Sequence, residues 1–401
     1  DYFAFLKRHT ALPAGAVRPR ELELVDTWRP TSGLPHIFII VIDSLRPDYL
    51  GAYSPAVRFT PNIDAFACGA AVFRAFTAYG ATGLSEPSIW AGARLPHAQY
   101  PEPFHPFNTL EKLIDRFDYR SLITLDTILA PLLKKDKAAH SLDKAVTGNY
   151  KLCATLSELE SRLDAEAASG RPLFVYTQPQ DVHVSVIQRE SKTISPDPRW
   201  KSFHPPYAAR VAEMDACFGR FISRLKGKGL YDKSVIILTA DHGDSLGEGG
   251  RWGHAYTLFP EILRVPLIVR VPPPLRRTLA ADTQNPAFLT DISPSLYALL
   301  GQKPRNPGEP YGRSLYADSA AALASTRREE RLVASSYGPV YGLLQGGRAL
   351  YIADAIEFRS HWYDLQSDPR GENDRIDPEK DFAGRAAVSA QIQELQRHYG
   401  Y

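Results

Sequence analysis

The stretch ILTADHGDSLGEGGRWGH, Ile237 to His254, begins as an apolar strand and ends in aspartates, a glutamate, two histidines and glycines. Charged groups at the end of a buried strand cost free energy unless they are paired or hold a metal. Two other apolar stretches end the same way. HIFIIVID closes on Asp43, and PLFVYTQP is followed by Asp181 and His183. Ligands of open parallel sheets sit beyond the carboxyl ends of the strands. If these strands are neighbours, Asp43, Asp241 and His242 supply two carboxylates and an imidazole, a set suited to a divalent cation. Taken singly, each residue has an ordinary alternative. An aspartate after a strand is often a turn residue or a helix cap. His183 and His254 are, one at a time, structural or surface histidines. The joint pattern carries the case.

A nucleophile has to come from elsewhere. YGATGLSEPSIWAG, Tyr79 to Gly92, is small and polar where a strand hands over to a helix. A hydroxyl at a helix N-terminus faces free backbone amides, and the helix dipole favours an anion there. Thr82, Ser85 and Ser88 all qualify on chemistry. Pro87 suits the first position of a short helix, in which case Ser85 is its cap.

The elements that must position these groups follow from hydrophobic patterning. Strands are expected at His36–Asp43, Ala71–Tyr79, Tyr119–Leu125, Pro172–Pro179, Ser234–Ala240 and Val265–Pro272, most of them apolar enough to be buried on both faces. Between them lie helical stretches. One is capped by Thr60 with Pro61 at its first position, two cover NTLEKLIDRF and YKLCATLSELESRLDAEA, and a long amphipathic one runs from about Pro206 to Lys228. FLTDISPSLYALLG reads as a helix closed by Gly301. Strands alternating with helices predict an α/β fold, doubly wound around a mostly parallel central sheet flanked by helices. After about residue 330 the pattern changes to short strands at short spacing and a last helix near Pro378–His398, a smaller antiparallel sheet with a final helix. The expected divisions are an irregular lead-in or linker over 1–35, a catalytic α/β domain over 36–328, and an antiparallel subdomain over 329–401 packed on the first.

Composition bounds the function. The 401 residues are 44% hydrophobic, so a large core is available. Forty-seven basic and 45 acidic residues leave a net charge of +2, which gives no electrostatic case for a nucleic acid partner or a polybasic membrane patch. Cys68, Cys153 and Cys217 contain no CxxC pair; one disulfide and one spare thiol are compatible with them, and the redox compartment stays open. No apolar run reaches the length of a membrane helix, and the start at Asp1 does not read as a signal peptide. A membrane anchor upstream of Asp1 is compatible with this.

Together and in order, these segments resemble the alkaline phosphatase/sulfatase superfamily over about residues 36–375. VIDSLRPDYLGAY with TPNIDAFACGAAVFRAF is similar to the opening metal strand and first helix. LSEPSIWAG resembles the nucleophile segment, which in sulfatases reads Cys or Ser, any residue, Pro, any residue, Arg. QPQDVHV resembles the histidine-bearing loop. TADHGDSLGEGGRWGHAYTLFPEILRVPLIVR is the closest match, to the second metal strand and the loop beyond it. FLTDISPSLYALLG, YGRSL and WYDLQSDPRGENDRI resemble carboxyl-terminal signatures. The resemblance implies that Asp43, Asp241, His242 and Ser85 hold one divalent ion (Zn, Mn, Ca or Mg), with Ser85 as the nucleophile. His183 and His254 would bind the transferred group, act as acid or base, or hold a second metal. Arg46 would help to bind an anion.

Two departures shape the expected activity. Ser44 stands where many sulfatases carry a second aspartate, as in the phosphonate monoester hydrolases and the membrane-anchored phosphoglycerol and phosphoethanolamine transferases. Ile89 replaces the arginine read by the enzyme that converts the sulfatase Cys or Ser to formylglycine. The second favours an unmodified serine, and together they imply a metal-dependent phosphotransferase or phosphodiesterase that passes a phosphoryl headgroup to water or to a glycan or lipid hydroxyl. The alternatives are a sulfatase with formylglycine at position 85, or a catalytically silent member binding lipid or glycan, against which the complete metal set counts. The implied partner is a phosphorylated or sulfated small molecule, glycan or phospholipid. The implied location is the periplasm or cell exterior, with this chain as the soluble domain of a membrane-anchored protein.

Overall fold

The computed structural model describes residues 21–95, 103–134, 136–137, 141–143, 150–167, 169–189, 197–305 and 310–399. The central sheet contains β1 (His36–Val41), β2 (Ala71–Phe76), β3 (Arg120–Thr124), β4 (Ser141–Leu142), β5 (Leu173–Thr177), β6 (Ser234–Thr239), β7 (Arg264–Arg270) and β8 (Ala287–Phe288). Their spatial order is β8-β2-β7-β6-β1-β5-β3-β4, and β7 alone among them runs antiparallel to its neighbours. The three central strands β6, β1 and β5 are buried almost throughout. Their unbroken apolar runs follow from having both faces covered.

The two faces are covered by different helices. Phe38 of β1 meets Phe221 of the long helix Pro205–Gly227. Phe174 and Tyr176 of β5 point the other way and meet Trp90, because the residue paired with Phe38 is Val175, between them. We label α1 (Pro61–Ala67), α2 (Thr82–Ala91), α3 (Thr109–Arg116), α4 (Leu152–Ala167), α5 (Pro205–Gly227) and α6 (Ile292–Leu299). α5 buries Val211, Met214, Phe218, Phe221 and Leu225, spaced three and four apart. It carries α4 beside it through the Cys153–Cys217 disulfide, and Cys68 is free and exposed. Asp215 of α5 accepts hydrogen bonds from the first amides of α1, including Ile63 N at 2.8 Å, and so caps that helix from outside.

α2 is the element that departs most from expectation. It begins at Thr82, so Pro87 lies inside it at the sixth position instead of at its start. Residues 83–91 are all buried; a helix apolar or small on every side belongs in the middle of a protein. Gly92, at φ +60°, ends it in the left-handed conformation usual for a C-cap glycine. Strand β2 stops at Phe76, three residues before the expected Tyr79.

Of the expected lead-in, residues 1–20 lie outside the described residues. Residues 21–35 form no helix or strand, yet Leu22, Leu24 and Val25 are buried in the main core. At the other end β9 (Glu330–Ala334), β10 (Val340–Gln345), β11 (Ala349–Asp354) and β12 (Arg359–Asp364) form an antiparallel sheet in sequence order, with α7 (Pro378–Tyr399) against it. Phe76, Leu263 and Phe288 of the central region share a hydrophobic cluster with Val333, Leu350 and Tyr363 of this sheet. No described helix is long and apolar enough to cross a membrane.

Candidate active site

Adjacent parallel strands bring the carboxylates together. Val41 of β1 pairs with Thr239 of β6, so Asp43 and Asp241 each lie two residues past a matched pair. Asp43, Asp241 and His242 are buried, and one ligand atom from each lies within 4.8 Å of the others. The His242 Nε2 atom is 3.7 Å from Asp43 Oδ1 and 3.4 Å from Asp241 Oδ2. Its Nδ1 lies 2.8 Å from the Gly243 carbonyl. A carbonyl only accepts, so Nδ1 carries the hydrogen and Nε2 turns a lone pair towards the carboxylates. A Cβ at Gly243 would lie 2.0 Å from the Glu261 carbonyl oxygen, which is why glycine follows the histidine.

Neighbouring groups fix the carboxylates. Ser44, buried at φ +65°, donates its amide to Asp241 Oδ1 (3.3 Å) and its hydroxyl to Asp43 Oδ1 (2.9 Å). A left-handed serine is costly, and such strain collects at functional sites. Gln180 Nε2 donates to Asp43 Oδ2 at 3.4 Å.

The electrostatics ask for a cation. Burial raises the Asp241 pKa and Asp43 raises it further, although His242 pulls the other way. Burial would lower the His242 pKa, but Asp241 and Asp43 raise it overall. Asp241 Oδ2 is buried without a hydrogen-bond partner. Among the described residues no lysine or arginine pairs with either carboxylate. Two buried carboxylates side by side without a lysine or arginine cost about 5 kcal/mol. Two oxygen donors and one nitrogen donor fit a divalent ion that offsets this. Among the described residues this is the one group of three or more such side chains close enough to share an ion.

The hydroxyl at the cluster belongs to Thr82, not to Ser85. Thr82, the first residue of α2, places Oγ1 3.1 Å from His242 Nε2. Ser85, one turn on, donates to the Asp241 backbone carbonyl at 2.6 Å and lies 3.0 Å from Thr77 Oγ1. It is fully buried behind the cluster, and its hydroxyl serves to tie α2 to the β6 end. Ser88 donates to the Ser85 carbonyl and faces neither. The expected assignment of Ser85 rested on the resemblance of LSEPSIWAG to the sulfatase nucleophile pattern; with the helix starting at Thr82, the first-turn hydroxyl is the threonine. Glu86 shares the Thr82 face of α2, four residues on. Burial, with Asp241 adding to it, pushes its carboxyl far up, and Tyr176 donates to it at 2.5 Å.

The two histidines meet beside His242. The rings of His242 and His254 are 4.1 Å apart, and those of His254 and His183 are 5.0 Å apart. Asp244, which carried no expectation from sequence, accepts from His254 Nδ1 at 2.7 Å and from Val184 N at 3.0 Å. Burial alone would raise the Asp244 pKa, but the His254 hydrogen bond and the neighbouring histidines hold it down. His183 Nδ1 accepts from the Ser185 amide at 3.2 Å. The two imidazoles therefore hold opposite tautomers in their neutral forms: His254 leaves Nε2 as an acceptor, and His183 leaves Nε2–H as a donor.

Arg46 reaches this group only through backbone, its Nη1 donating to the Asp244 carbonyl at 3.0 Å. Its guanidinium makes a fork to Asp48 (3.0 and 2.7 Å) and a third contact to Glu248 at 2.6 Å. It lines a separate cavity of about 670 Å³ with Tyr49, His204 and Arg264. A guanidinium already held by two carboxylates has little left for an anion. Asp181 is a structural residue: it accepts from Leu152 N at 2.8 Å, capping α4, and burial pushes its pKa up to about 6.

The sulfatase family model matches residues 35–302. The low-salt glycan biosynthesis sulfotransferase Agl7 of Haloferax volcanii is 29% identical over 144 residues, covering 35% of this chain and 32% of that protein. The N-acetylglucosamine-6-O-sulfatase of Bacteroides thetaiotaomicron is 26% identical over 216 residues, covering 50% of this chain and 37% of that protein. The chain thus spans about a third of the length of these curated relatives. A phosphonate monoester hydrolase from Silicibacter pomeroyi superposes with a TM-score of 0.61 at 19% identity, covering 91% of this chain and 96% of that one. At that identity the likeness speaks for the fold.

Proposed function

The chain belongs to the sulfatase family of enzymes, within the alkaline phosphatase/sulfatase superfamily, and from that premise we propose that it cleaves or transfers a phosphate ester through Thr82. The observation that carries this reading is the Thr82 hydroxyl on His242 Nε2, at the edge of the carboxylate pair. The β-carbon of threonine bears a methyl group. Its oxidation yields a ketone, so the aldehyde chemistry of formylglycine is closed to it. A plain alcohol attacking phosphorus is the reaction left open at that atom.

Asp43, Asp241 and His242 would hold the divalent ion, which supplies charge stabilisation for the non-bridging oxygens. Thr82 Oγ1 would form a bond to phosphorus as the bond to the leaving oxygen breaks, its proton passing to water at the open side of the site. His183 would take up a proton at Nδ1, where the Ser185 hydroxyl can accept from it, and give its Nε2 proton to the leaving oxygen. His254, oriented by Asp244 and accepting at Nε2, activates the water or alcohol that releases the phosphothreonine.

Sulfate-ester hydrolysis is the second reading, and the sequence relatives favour it, since a sulfatase and a sulfotransferase are among them. Their named activities also support a sugar ester as substrate. The Cys153–Cys217 disulfide supports a periplasmic or extracellular location.

The test is peptide mass spectrometry across residues 77–94 after brief incubation with a phosphodiester and with a sulfate ester. A phosphate adduct on Thr82 supports the phosphoryl reading. Loss of two hydrogens at Ser85 would sink it and put the sulfatase mechanism first.

A further inference from the structure

The mouth of the site is built partly by loops to which the sequence assigned no role. Tyr256 follows His254 by two residues. Tyr337 stands in the turn between β9 and β10. The two residues are 56% and 54% exposed, and their ring centroids lie 6.2 Å apart at an interplanar angle of 49°. The Tyr337 hydroxyl lies 2.7 Å from where a Cβ on Gly83 would stand, which puts it next to Thr82 over the first turn of α2.

Both loops are pinned by backbone. The Ala255 amide donates to the Gly80 carbonyl at 2.8 Å, and the Ser336 amide to the Ala255 carbonyl at 3.2 Å. The Ser336 hydroxyl donates to the Ala81 carbonyl at 3.0 Å. Two half-exposed rings held in one arrangement beside a reactive hydroxyl are pre-organised, so a ligand covering them loses little ordering entropy.

We infer that Tyr256 and Tyr337 form the subsite for a pyranose ring whose ester is attacked by Thr82. This rests on the active-site reading above and names the part of the substrate that site would hold. A pyranose offers an apolar C–H face and a rim of hydroxyls. Two phenols offer ring faces and a hydroxyl each. A lipid surface matches less well. Ile356 and Phe358 are exposed in the nearby β11–β12 turn, and the Ile356 side chain approaches Gly338 beside Tyr256. Asp354 and Glu357 share that turn with the single Arg359, a balance that disfavours an anionic bilayer.

The experiment is saturation-transfer NMR on the full chain with calcium or zinc added. The probes are methyl glucopyranoside and N-acetylglucosaminide 6-phosphates and 6-sulfates, with ethyl phosphate and ethyl sulfate as ringless controls. The sugar esters are expected to bind about tenfold tighter than the ethyl esters, with saturation reaching the ring protons. In a Tyr256→Ala/Tyr337→Ala variant that ratio should fall to about one, and Tyr337→Phe should lose only part of it. Sugar esters that bind no tighter than ethyl esters, or a double variant that weakens both equally, would overturn the inference. Vesicles of phosphatidylglycerol retained through Phe358 and Tyr337, with no sugar ester bound, would overturn it in favour of a membrane. Failure of the active-site reading is read separately: Thr82→Ala that still turns over ester substrates removes that reading whatever the tyrosines do.

Discussion

At the carboxyl ends of β1 and β6 the protein holds Asp43, Asp241 and His242 in full burial with one carboxylate oxygen unpartnered. The antiparallel sheet and α7 do the reverse. There Asp381 meets Arg385 at 2.9 Å and Asp374 meets His361 at 2.8 Å, all in contact with water. The first arrangement destabilises the fold unless something binds. The second stabilises it slightly and needs nothing. Charged residues therefore carry functional information here through where they are buried, not through how many there are. The same contrast operates on a smaller scale inside α2, where Thr82 faces the cluster and Ser85, one turn later, is tied to backbone.

The largest effect should separate these two hydroxyls. Thr82→Ala is expected to lower turnover by about a thousandfold or more, as for loss of a nucleophile. Ser85→Ala should cost about 1–2 kcal/mol of stability by losing its buried hydrogen bonds, with turnover reduced far less. Steady-state kinetics with urea denaturation reads both; the reverse ranking would return the nucleophile to Ser85.

Next is the carboxylate cluster. Asp241→Asn should weaken metal affinity by about a hundredfold or more, seen as loss of bound metal by elemental analysis. The metal-free variant should melt a few degrees above the metal-free parent, because a buried like charge is gone, about 1 kcal/mol or more. A metal-free melting point that falls instead would mean that the cluster is stable without a cation.

The disulfide tests whether the helices behind the parallel sheet need a covalent tie. Cys153→Ser/Cys217→Ser should destabilise the chain by about 3–4 kcal/mol, given the long loop it closes. Matched denaturation curves of the variant and the parent check this; coincident curves would show that packing of α4 on α5 suffices.

The smallest effect belongs to the antiparallel side. The Arg385 hydrogen bond, with Ser360 and Tyr351 helping, holds the Asp381 pKa down to about 2. A depressed carboxyl contributes stability above its unfolded pKa of about 3.9. That contribution is lost as pH falls through about 2. Asp381 is open to solvent, so Asp381→Asn should cost less than about 1 kcal/mol at pH 7, and the cost should vanish as pH falls below about 2. A larger loss at neutral pH would blur the distinction between the two regions.

Much of the architecture was legible in the chain itself. The apolar runs at His36–Val41, Leu173–Thr177 and Ser234–Thr239 are too continuous for half-exposed strands. Their polar ends, Asp43 and Asp241-His242, stand where parallel strands deliver ligands. The 3.6-residue spacing from Val211 to Leu225 made the long helix readable in the same way. These features depend on periodicity, a property of neighbours along the chain.

What tertiary structure alone decided is which groups meet. Helix α2 is buried on every side, so its sequence lacks the periodicity that marks a start, and Pro87 gave a false one. Where it begins decides whether Thr82 or Ser85 reaches the cluster. Arg46 looks free in the sequence and is held by Asp48 and Glu248 in the fold. Tyr337 is far from Thr82 in the chain and beside it in space. Contacts at such separation come from how sheets and helices stack, which no local pattern encodes.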